Sequence, residues 1–243
     1  MKLRYIKKIL GKNSNKKERS LDCFNKTIIK YISPKIENLT FVDIGANRGL
    51  FYENLKSVYK KSKITAMLIE PIPECIKELR DCYGNDPNVK IFQVALSDTI
   101  ERRNFHINSY DVTSSLLKIK YDINDLKGID TNESYSLELT TTTLDKLVRD
   151  CDIKNQRINL MKIDVQGSEN EVLLGANDTL SHTEYIWIEV SFKELYEDSC
   201  LFQDVYSILQ ASNFILVEIC DGFRSIQNEL IQADCLFRNI NIH

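Results

Sequence analysis

A short glycine-containing turn follows the first strongly apolar run of the chain. Residues 41–49 read FVDIGANRG, and a helical pattern begins at Leu50. Gly45 and Gly49 tolerate positive φ and let a ligand approach the backbone, while a helix N-terminus offers unpaired N–H groups. Asp43, at the end of the strand, is placed to accept hydrogen bonds from a cationic or polar ligand group. The pattern favours a ligand-binding strand–turn–helix over a plain βα turn.

A single acid, Glu70, ends the next apolar run, in the sequence LIEP. It follows Gly49 at the spacing of about 20 residues at which a carboxylate holds the hydroxyls of a ribose. Taken together with the turn, Glu70 predicts a cofactor that contains a nucleoside.

The turn separates two classes of such cofactor. A dinucleotide fold needs G-x-G-x-x-G, whose middle glycine admits a pyrophosphate. Here Asn47 stands at that position, and the carboxylate of Asp43 would repel a pyrophosphate. S-adenosylmethionine carries an ammonium on its amino-acid part, which suits the carboxylate. We therefore expect S-adenosylmethionine rather than NAD.

Two further acidic residues lie at the ends of later apolar runs. Asp164 comes after the run 158–163, and Glu189 lies near the end of the run 185–190. A carboxylate at the cavity end of a strand can orient a hydroxyl or accept its proton during methyl transfer. We expect Asp164 and Glu189 to be catalytic, with capping of the next helix as the alternative for Asp164. A divalent metal between the two is possible and is not favoured.

These residues must be positioned by alternating strands and helices. Helical patterns separate most of seven apolar runs, which predicts βαβ units and a parallel sheet covered on both faces. No helical pattern separates the last two runs, 214–219 and 235–240, so they are candidates for an antiparallel pair. The segment of about 101–142 breaks the alternation and is predicted to be an inserted β element on the ligand-binding side.

From about residue 39 to residue 240 the chain resembles the FkbM family of S-adenosylmethionine-dependent methyltransferases. The motifs that carry the resemblance occur in the order of the family and are DIGANRG (43–49), EP (70–71), ALSD (95–98), SSL (114–116), TTLD (142–145), KIDVQGSE (162–169) and WIEV (187–190). Gln166 stands where many members have Glu. The resemblance implies a class I methyltransferase fold, which is Rossmann-like and doubly wound with a mostly parallel seven-stranded sheet.

The resemblance also implies roles for individual residues. The cofactor-binding residues that it implies are Asp43, Gly45, Ala46, Asn47 and Gly49 at the methionine end, Glu70 at the ribose, and Leu96, Ser97 and Asp98 at the adenine. The implied activity is O-methylation of sugars and other hydroxyls. We therefore expect a methyltransferase acting on a hydroxyl of a sugar or of a glycan or glycolipid precursor. Methylation of another small metabolite and a catalytically degenerate ligand-binding protein are the alternatives.

Composition sets limits on partners and location. The chain has 243 residues, 43% of them hydrophobic, so it can build a sizeable core. A net charge of −3 and a pI near 5.7 argue against a nucleic-acid binder. The seven cysteines show no framework, so we expect small apolar side chains in a reducing, cytoplasmic protein.

The charge is unevenly distributed along the chain. Residues 1–20 carry a net charge of +7 and the rest −10. We divide the chain into a basic N-terminal arm with a leading helix, 1–38, and a methyltransferase domain, 39–243. Leu3, Ile6 and Leu10 form an apolar stripe, so the first twenty residues are either a solvated leader or a peripheral contact with an anionic membrane surface at the inner face of the membrane.

Overall fold

The computed structural model describes residues 14–120, 132–151, 156–225 and 227–242. The strands in these ranges are β1 (Asn38–Ile44), β2 (Lys63–Ile69), β3 (Val89–Phe92), β4 (Arg102–Asn108), β5 (Glu133–Thr140), β6 (Ile158–Ile163), β7 (Thr183–Ser191), β8 (Phe214–Asp221) and β9 (Gln232–Asn239). The helices are α1 (Ser14–Tyr31), α2 (Leu50–Val58), α3 (Pro73–Tyr83), α4 (Leu144–Arg149), α5 (Glu169–Leu174), α6 (Asn177–Ser181) and α7 (Phe202–Ala211). A 3-10 turn, Asp111–Thr113, follows β4.

One sheet contains seven of these strands in the spatial order β3-β2-β1-β6-β7-β9-β8. Strands β3, β2, β1, β6 and β7 are parallel, and β9 is antiparallel to both β7 and β8. The chain moves outward from β1 in one direction and then returns to its other side, which makes the sheet doubly wound. The predicted fold class is confirmed, including the antiparallel pair at the end of the chain.

Helices cover both faces of the sheet, which explains why its central strands are mostly apolar. All six residues of β6 are buried. Helices α1, α2 and α3 pack on the face that carries Phe41 and Leu160, and α4 to α7 pack on the face that carries Val42 and Ile163. Since alternate strand residues point to opposite faces, Asp43 belongs to the face covered by α1 to α3. None of the helices in the described ranges has the length and apolarity needed to cross a bilayer.

Helix α1 forms part of the core. Phe24 and Ile28 are fully buried, and the Phe24 ring makes edge-to-face contacts with Phe51 and Trp187 at centroid distances of 5.0 and 5.1 Å. Residues 14–20 belong to this helix. The apolar stripe of Leu3, Ile6 and Leu10 lies outside the described residues.

A disulfide bond joins Cys23 of α1 to Cys220 of β8, with the Cα atoms 6.3 Å apart. The expectation that all seven cysteines are small apolar side chains is therefore wrong for these two. The two cysteines are 197 residues apart in the sequence and match no known spacing pattern. The pairing of cysteines in disulfide bonds cannot be deduced from sequence alone, so this bond was not predicted. The bond ties the first described helix to the edge strand of the sheet.

The inserted segment forms a separate two-stranded sheet of β4 and β5. Phe105 and Ile107 of β4 pack with Ile72, which precedes α3, and with Leu116. This apolar contact holds the insertion against the main domain. Residues 121–131 of the segment lie outside the described ranges.

Candidate active site

The turn between β1 and α2 has the left-handed backbone that its glycines allow. Gly45 has φ +73°, Asn47 φ 46° and Gly49 φ +77°. The N–H groups of Gly45 and Ala46 both donate to the carbonyl of Ile69 at 3.0 Å, which ties the turn to the end of β2. A Cβ at Gly45 would overlap the carbonyl oxygen of Asp164, so glycine is required where the turn meets the end of β6.

Glu70 lies beside this turn and is almost completely buried. Its Oε2 accepts the N–H of Asn47 at 2.8 Å, and its Oε1 accepts the N–H of Ile72 at 3.0 Å. Burial raises the pKa of Glu70 to about 7, although these two hydrogen bonds oppose the shift. The carboxylate therefore titrates near neutral pH at the edge of a cavity.

The cavity opens at the carboxyl ends of the parallel strands, where sheets of this type bind ligands. The expected site residues that line it are Gly45, Ala46, Asn47, Glu70, Leu96, Asp164 and Glu189. Leu50, Phe51 and Ile72 add apolar surface. A carboxylate for a diol beside apolar walls for a flat base fits the adenosine part of S-adenosylmethionine.

Four expected cofactor residues have other contacts. Gly49 is the left-handed residue that precedes α2. Ser97 donates to Glu171 at 2.9 Å and to Asp98 at 3.1 Å. Asp43 is fully buried, with Oδ1 3.4 Å from Nζ of Lys162. None of these four, Asp43, Gly49, Ser97 and Asp98, is among the residues that line the described cavity.

Asp164 and Glu189 are connected through the side chain of Gln166. Its Nε2 donates to Oδ1 of Asp164 at 2.5 Å and to Oε2 of Glu189 at 3.0 Å. Gln232 of β9 also donates to Oε2 of Glu189, at 2.9 Å. The two expected catalytic carboxylates thus belong to one hydrogen-bonded group facing the cavity.

Tyr196 continues this group toward the insertion. Its hydroxyl contacts Oε1 of Gln166 at 2.9 Å and the carbonyl of Thr113 at 3.0 Å. Burial raises the pKa of Tyr196 well above its usual value, so the hydroxyl stays protonated. Arg48 of the β1–α2 turn also reaches the insertion, through an ion pair with Asp111. Both ends of the cavity are therefore tied to the inserted segment.

The helix-capping alternative for Asp164 does not match the loop before α5. The N-cap of α5 is Ser168. The carboxylate that organises this loop belongs to Glu169, which accepts the N–H groups of Val165 at 3.2 Å and Gly167 at 3.1 Å. Asp164 instead points one oxygen at Gln166 and the other at Lys162.

Sequence reasoning missed Lys162 and Glu169, both of which are buried charged residues. The available signal for Lys162 was a charged residue inside an otherwise apolar run, INLMKI. Burial of a charge costs so much that it requires a partner, and Lys162 has Asp43 and Asp164. Among the described residues, no group of three or more His, Cys, Asp or Glu side chains is arranged to hold a metal ion.

Two solved structures of methyltransferases share this fold. Methyltransferase FkbM from Methylobacillus flagellatus KT superposes with a TM-score of 0.53 at 15% identity and covers 87% of this chain, which spans only 47% of that one. Magnesium protoporphyrin IX methyltransferase (ChlM) from Synechocystis PCC 6803, solved with bound SAM, gives a TM-score of 0.51 at 7% identity, over 95% of this chain and 83% of that one. The architecture is that of a class I methyltransferase.

The family model of the methyltransferase FkbM domain matches residues 43–216 of this chain. The chain therefore belongs to the FkbM family of S-adenosylmethionine-dependent methyltransferases. The 2-O-methyltransferase NoeI of Sinorhizobium fredii is 26% identical over 181 residues, which are 72% of either chain. Methyltransferase sdnD of Sordaria araneosa is 29% identical over 197 residues, which are 73% of this chain and 74% of that one.

Proposed function

We propose that the protein transfers a methyl group from S-adenosylmethionine to a hydroxyl of a sugar, or of a glycan or glycolipid precursor. The observation that carries the proposal is the group of Asp164, Gln166 and Glu189, which faces the cavity next to the β1–α2 turn. Similarity to a relative named as a 2-O-methyltransferase supports a hydroxyl acceptor.

The cofactor would lie across the ends of β1, β2 and β3. Glu70 would accept hydrogen bonds from the ribose hydroxyls, and Leu96 would contact the adenine. Gly45, Ala46 and Asn47 would form the wall at the methionine end. S-adenosylmethionine supplies an activated methyl group on a sulfonium.

The acceptor would lie on the side of Asp164 and Glu189. Carboxylates accept hydrogen bonds from neutral hydroxyls and can take up the proton that a hydroxyl loses. Among the residues that line the described cavity, Lys162 is the basic one. The acidic ones are Glu70, Asp111, Asp164, Glu189 and Asp234. Such a lining repels phosphate-bearing acceptors and favours an uncharged polyol.

In this proposal Asp164 is the general base, because each of its two carboxylate oxygens is held by a neighbouring side chain. Its Oδ2 lies 3.5 Å from Nζ of Lys162 and its Oδ1 accepts the amide of Gln166. A fixed carboxylate orients the attacking oxygen, and positioning supplies much of the rate of an in-line displacement.

The experiment is a methyl-transfer assay with purified protein and S-adenosylmethionine, read by S-adenosylhomocysteine formation and mass spectrometry of the acceptor. The panel contains neutral oligosaccharides, the matching sugar phosphates and nucleotide sugars, and a catechol as a hydroxylated compound that is not a sugar. We expect methylation of a neutral glycan. Methylation of the catechol alone would contradict the sugar assignment, and failure to bind S-adenosylhomocysteine would contradict the whole proposal.

The cellular location belongs to the same proposal. A glycolipid precursor would be reached at the inner face of a membrane, and the basic segment of residues 1–20 would bring a cytoplasmic enzyme there. Attraction of Lys and Arg side chains to anionic lipid supports this placement.

A further inference from the structure

Lys162 is a buried cation inside the sheet. It is the fifth residue of β6 and pairs in register with Asp43 of β1 and Trp187 of β7, under the helices α1 and α2. Only 2% of the residue is exposed. An apolar side chain is the usual occupant of such a position, and replacing a buried ion pair by apolar residues often stabilises a protein. A buried ion pair of this kind is therefore weak evidence for a contribution to fold stability.

The ammonium of Lys162 is surrounded by groups from three segments. Nζ donates to the carbonyl of Gly45 at 2.8 Å and lies 3.4 Å from Oδ1 of Asp43 and 3.5 Å from Oδ2 of Asp164. It also lies 4.9 Å from the ring centroid of Phe51. The ammonium thus has one hydrogen bond, to the carbonyl of Gly45, and two ion-pair partners, Asp43 and Asp164. Burial lowers the pKa of Lys162, but the carboxylates of Asp43 and Asp164 outweigh it and raise the pKa overall, so the charge persists.

These partners differ in their exposure to the cavity. Asp43 is fully buried, whereas the side chain of Asp164 is 31% exposed and lines the cavity. Gly45 also lines the cavity and belongs to the turn that is expected to hold the cofactor. Lys162 therefore contacts two parts of the site: the turn that is expected to hold the cofactor, and the carboxylate that is expected to face the acceptor.

We propose that Lys162 is a positioning residue for methyl transfer, whose buried ammonium holds the Asp164 carboxylate and the Gly45 carbonyl at a fixed separation. This inference rests on the proposed function, since it assigns Lys162 a task in that reaction. Asp43 is the counter-ion that keeps the ammonium in place. Lys162 acts through Asp164 on the acceptor side and through Gly45 on the cofactor side.

Among the ion pairs of the described residues, Lys162 is the one cationic partner of Asp164. The acids in its vicinity are Asp43, Glu169 and Glu189. Loss of Lys162 would leave Oδ2 facing an acidic environment and would allow the side chain to rotate away. The amide of Gln166 would then be the remaining contact that orients Asp164.

A double-mutant cycle tests the proposal. The variants are Lys162→Met, Asp164→Asn and the two combined, with Lys162→Arg as the conservative replacement. Lys146, an exposed residue paired with Asp150, provides the control Lys146→Met. The readouts are kcat on the acceptor found in the panel and the Kd for S-adenosylhomocysteine from calorimetry.

We expect Lys162→Met to lower kcat by about 30-fold in the wild-type background and by less than about threefold in the Asp164→Asn background, since a residue that acts through another shows non-additive losses. The Kd should rise about fivefold in either background through the loss of the Gly45 contact, roughly the effect of one hydrogen bond. Lys162→Arg should recover part of kcat.

Losses in kcat that multiply in the double variant would overturn the proposal, because a purely structural lysine gives independent effects. An unchanged kcat in Lys162→Met would also overturn it. If Lys162→Met fails to fold, the neutral pair Asp43→Asn/Lys162→Met replaces it in the cycle with the same expectations. A wild type that binds S-adenosylhomocysteine but methylates no acceptor would refute the proposed function, and the Kd comparison would still test the contact with Gly45.

Discussion

The Oε2 atom of Glu70 accepts a hydrogen bond from the backbone N–H of Asn47 at 2.8 Å. This contact joins the end of β2 to the turn after β1 and fixes the cofactor wall relative to the carboxylate expected to hold the ribose. Because Glu70 is buried, its pKa lies at about 7, above the usual value for a glutamate. In the proposed function, proton uptake by Glu70 would therefore weaken binding of the cofactor.

The first prediction concerns the pH dependence of cofactor affinity. Ribose hydroxyls donate to an ionised carboxylate, and a raised pKa means that Glu70 is protonated below about pH 7. The affinity for S-adenosylhomocysteine should fall as the pH falls, by about tenfold between pH 8 and pH 6, as expected for one group titrating at 7. Calorimetry at both pH values measures this. Glu70→Gln should bind weakly and with little pH dependence, whereas Glu101→Gln, at an exposed position, should behave as the wild type.

The second prediction concerns the base. Asp164→Asn keeps the size of the side chain and removes its charge, so the affinity for S-adenosylhomocysteine should stay within a few-fold while kcat falls by roughly 10² or more. Steady-state kinetics and calorimetry separate the two effects. Asp150→Asn, an exposed aspartate in α4's C-terminal cap, is the control. An unchanged kcat would assign Asp164 a structural role.

The third prediction concerns metal dependence. The Gln166 amide lies between the carboxylates of Asp164 and Glu189 and donates to both. Since hydrogen-bond donors already balance these oxygens, we expect turnover to be the same with and without a chelator. Activity that EDTA abolishes and magnesium restores would establish a metal-assisted reaction instead.

The fourth prediction concerns the Cys23–Cys220 bond. Crosslinks that close long loops typically stabilise a protein by about 2–4 kcal/mol, so Cys23→Ser should lower the free energy of unfolding by that amount. Urea unfolding measures it. A reductant should bring the wild type to the level of the variant, and Cys82→Ser, outside the bond, should not change the midpoint. Identical unfolding curves for wild type and Cys23→Ser would show that the two thiols are not joined in solution.

The fifth prediction concerns the basic segment. Several Lys and Arg side chains near an anionic bilayer contribute about 1 kcal/mol each, so the full chain should pellet with anionic vesicles at low salt and be released at high salt. The comparison protein carries Gln in place of Lys2, Lys7, Lys8 and Lys12, which lie before α1 and leave that helix intact. Equal pelleting of both proteins would show that the basic segment does not bind the membrane.

Local patterns predicted the sheet and much of the site. The strand–turn–helix at 41–49 and the acid at Glu70 follow from short spacings, and both lie where they were expected. The helical spacing of Leu21, Phe24, Ile28 and Ile32 was available in the sequence, but the surrounding charges obscured it, and α1 was not predicted as a core helix.

The contacts that the sequence did not predict depend on which strands are neighbours. Asp43 was expected to face a ligand, yet it faces Lys162, because β1 pairs with β6 and places the two residues in register. Gln166, which donates to both Asp164 and Glu189, has a backbone φ of 60°, and residue type alone does not predict this conformation for a glutamine. Such pairings arise from register and from rare backbone angles, which a single sequence does not encode locally.

The contact between α1 and β8 bears on the order in which the chain folds during its synthesis. Phe24 packs against Trp187, and Cys23 is bonded to Cys220, and both of these partners are synthesised long after α1. At about 5–20 residues per second, this interval lasts roughly 10–40 s. Until then α1 can pack against early elements such as Phe41 of β1 and Phe51 of α2, but its contacts with β7 and β8 are missing. The first described helix to be synthesised therefore completes its packing only after β8 has been made.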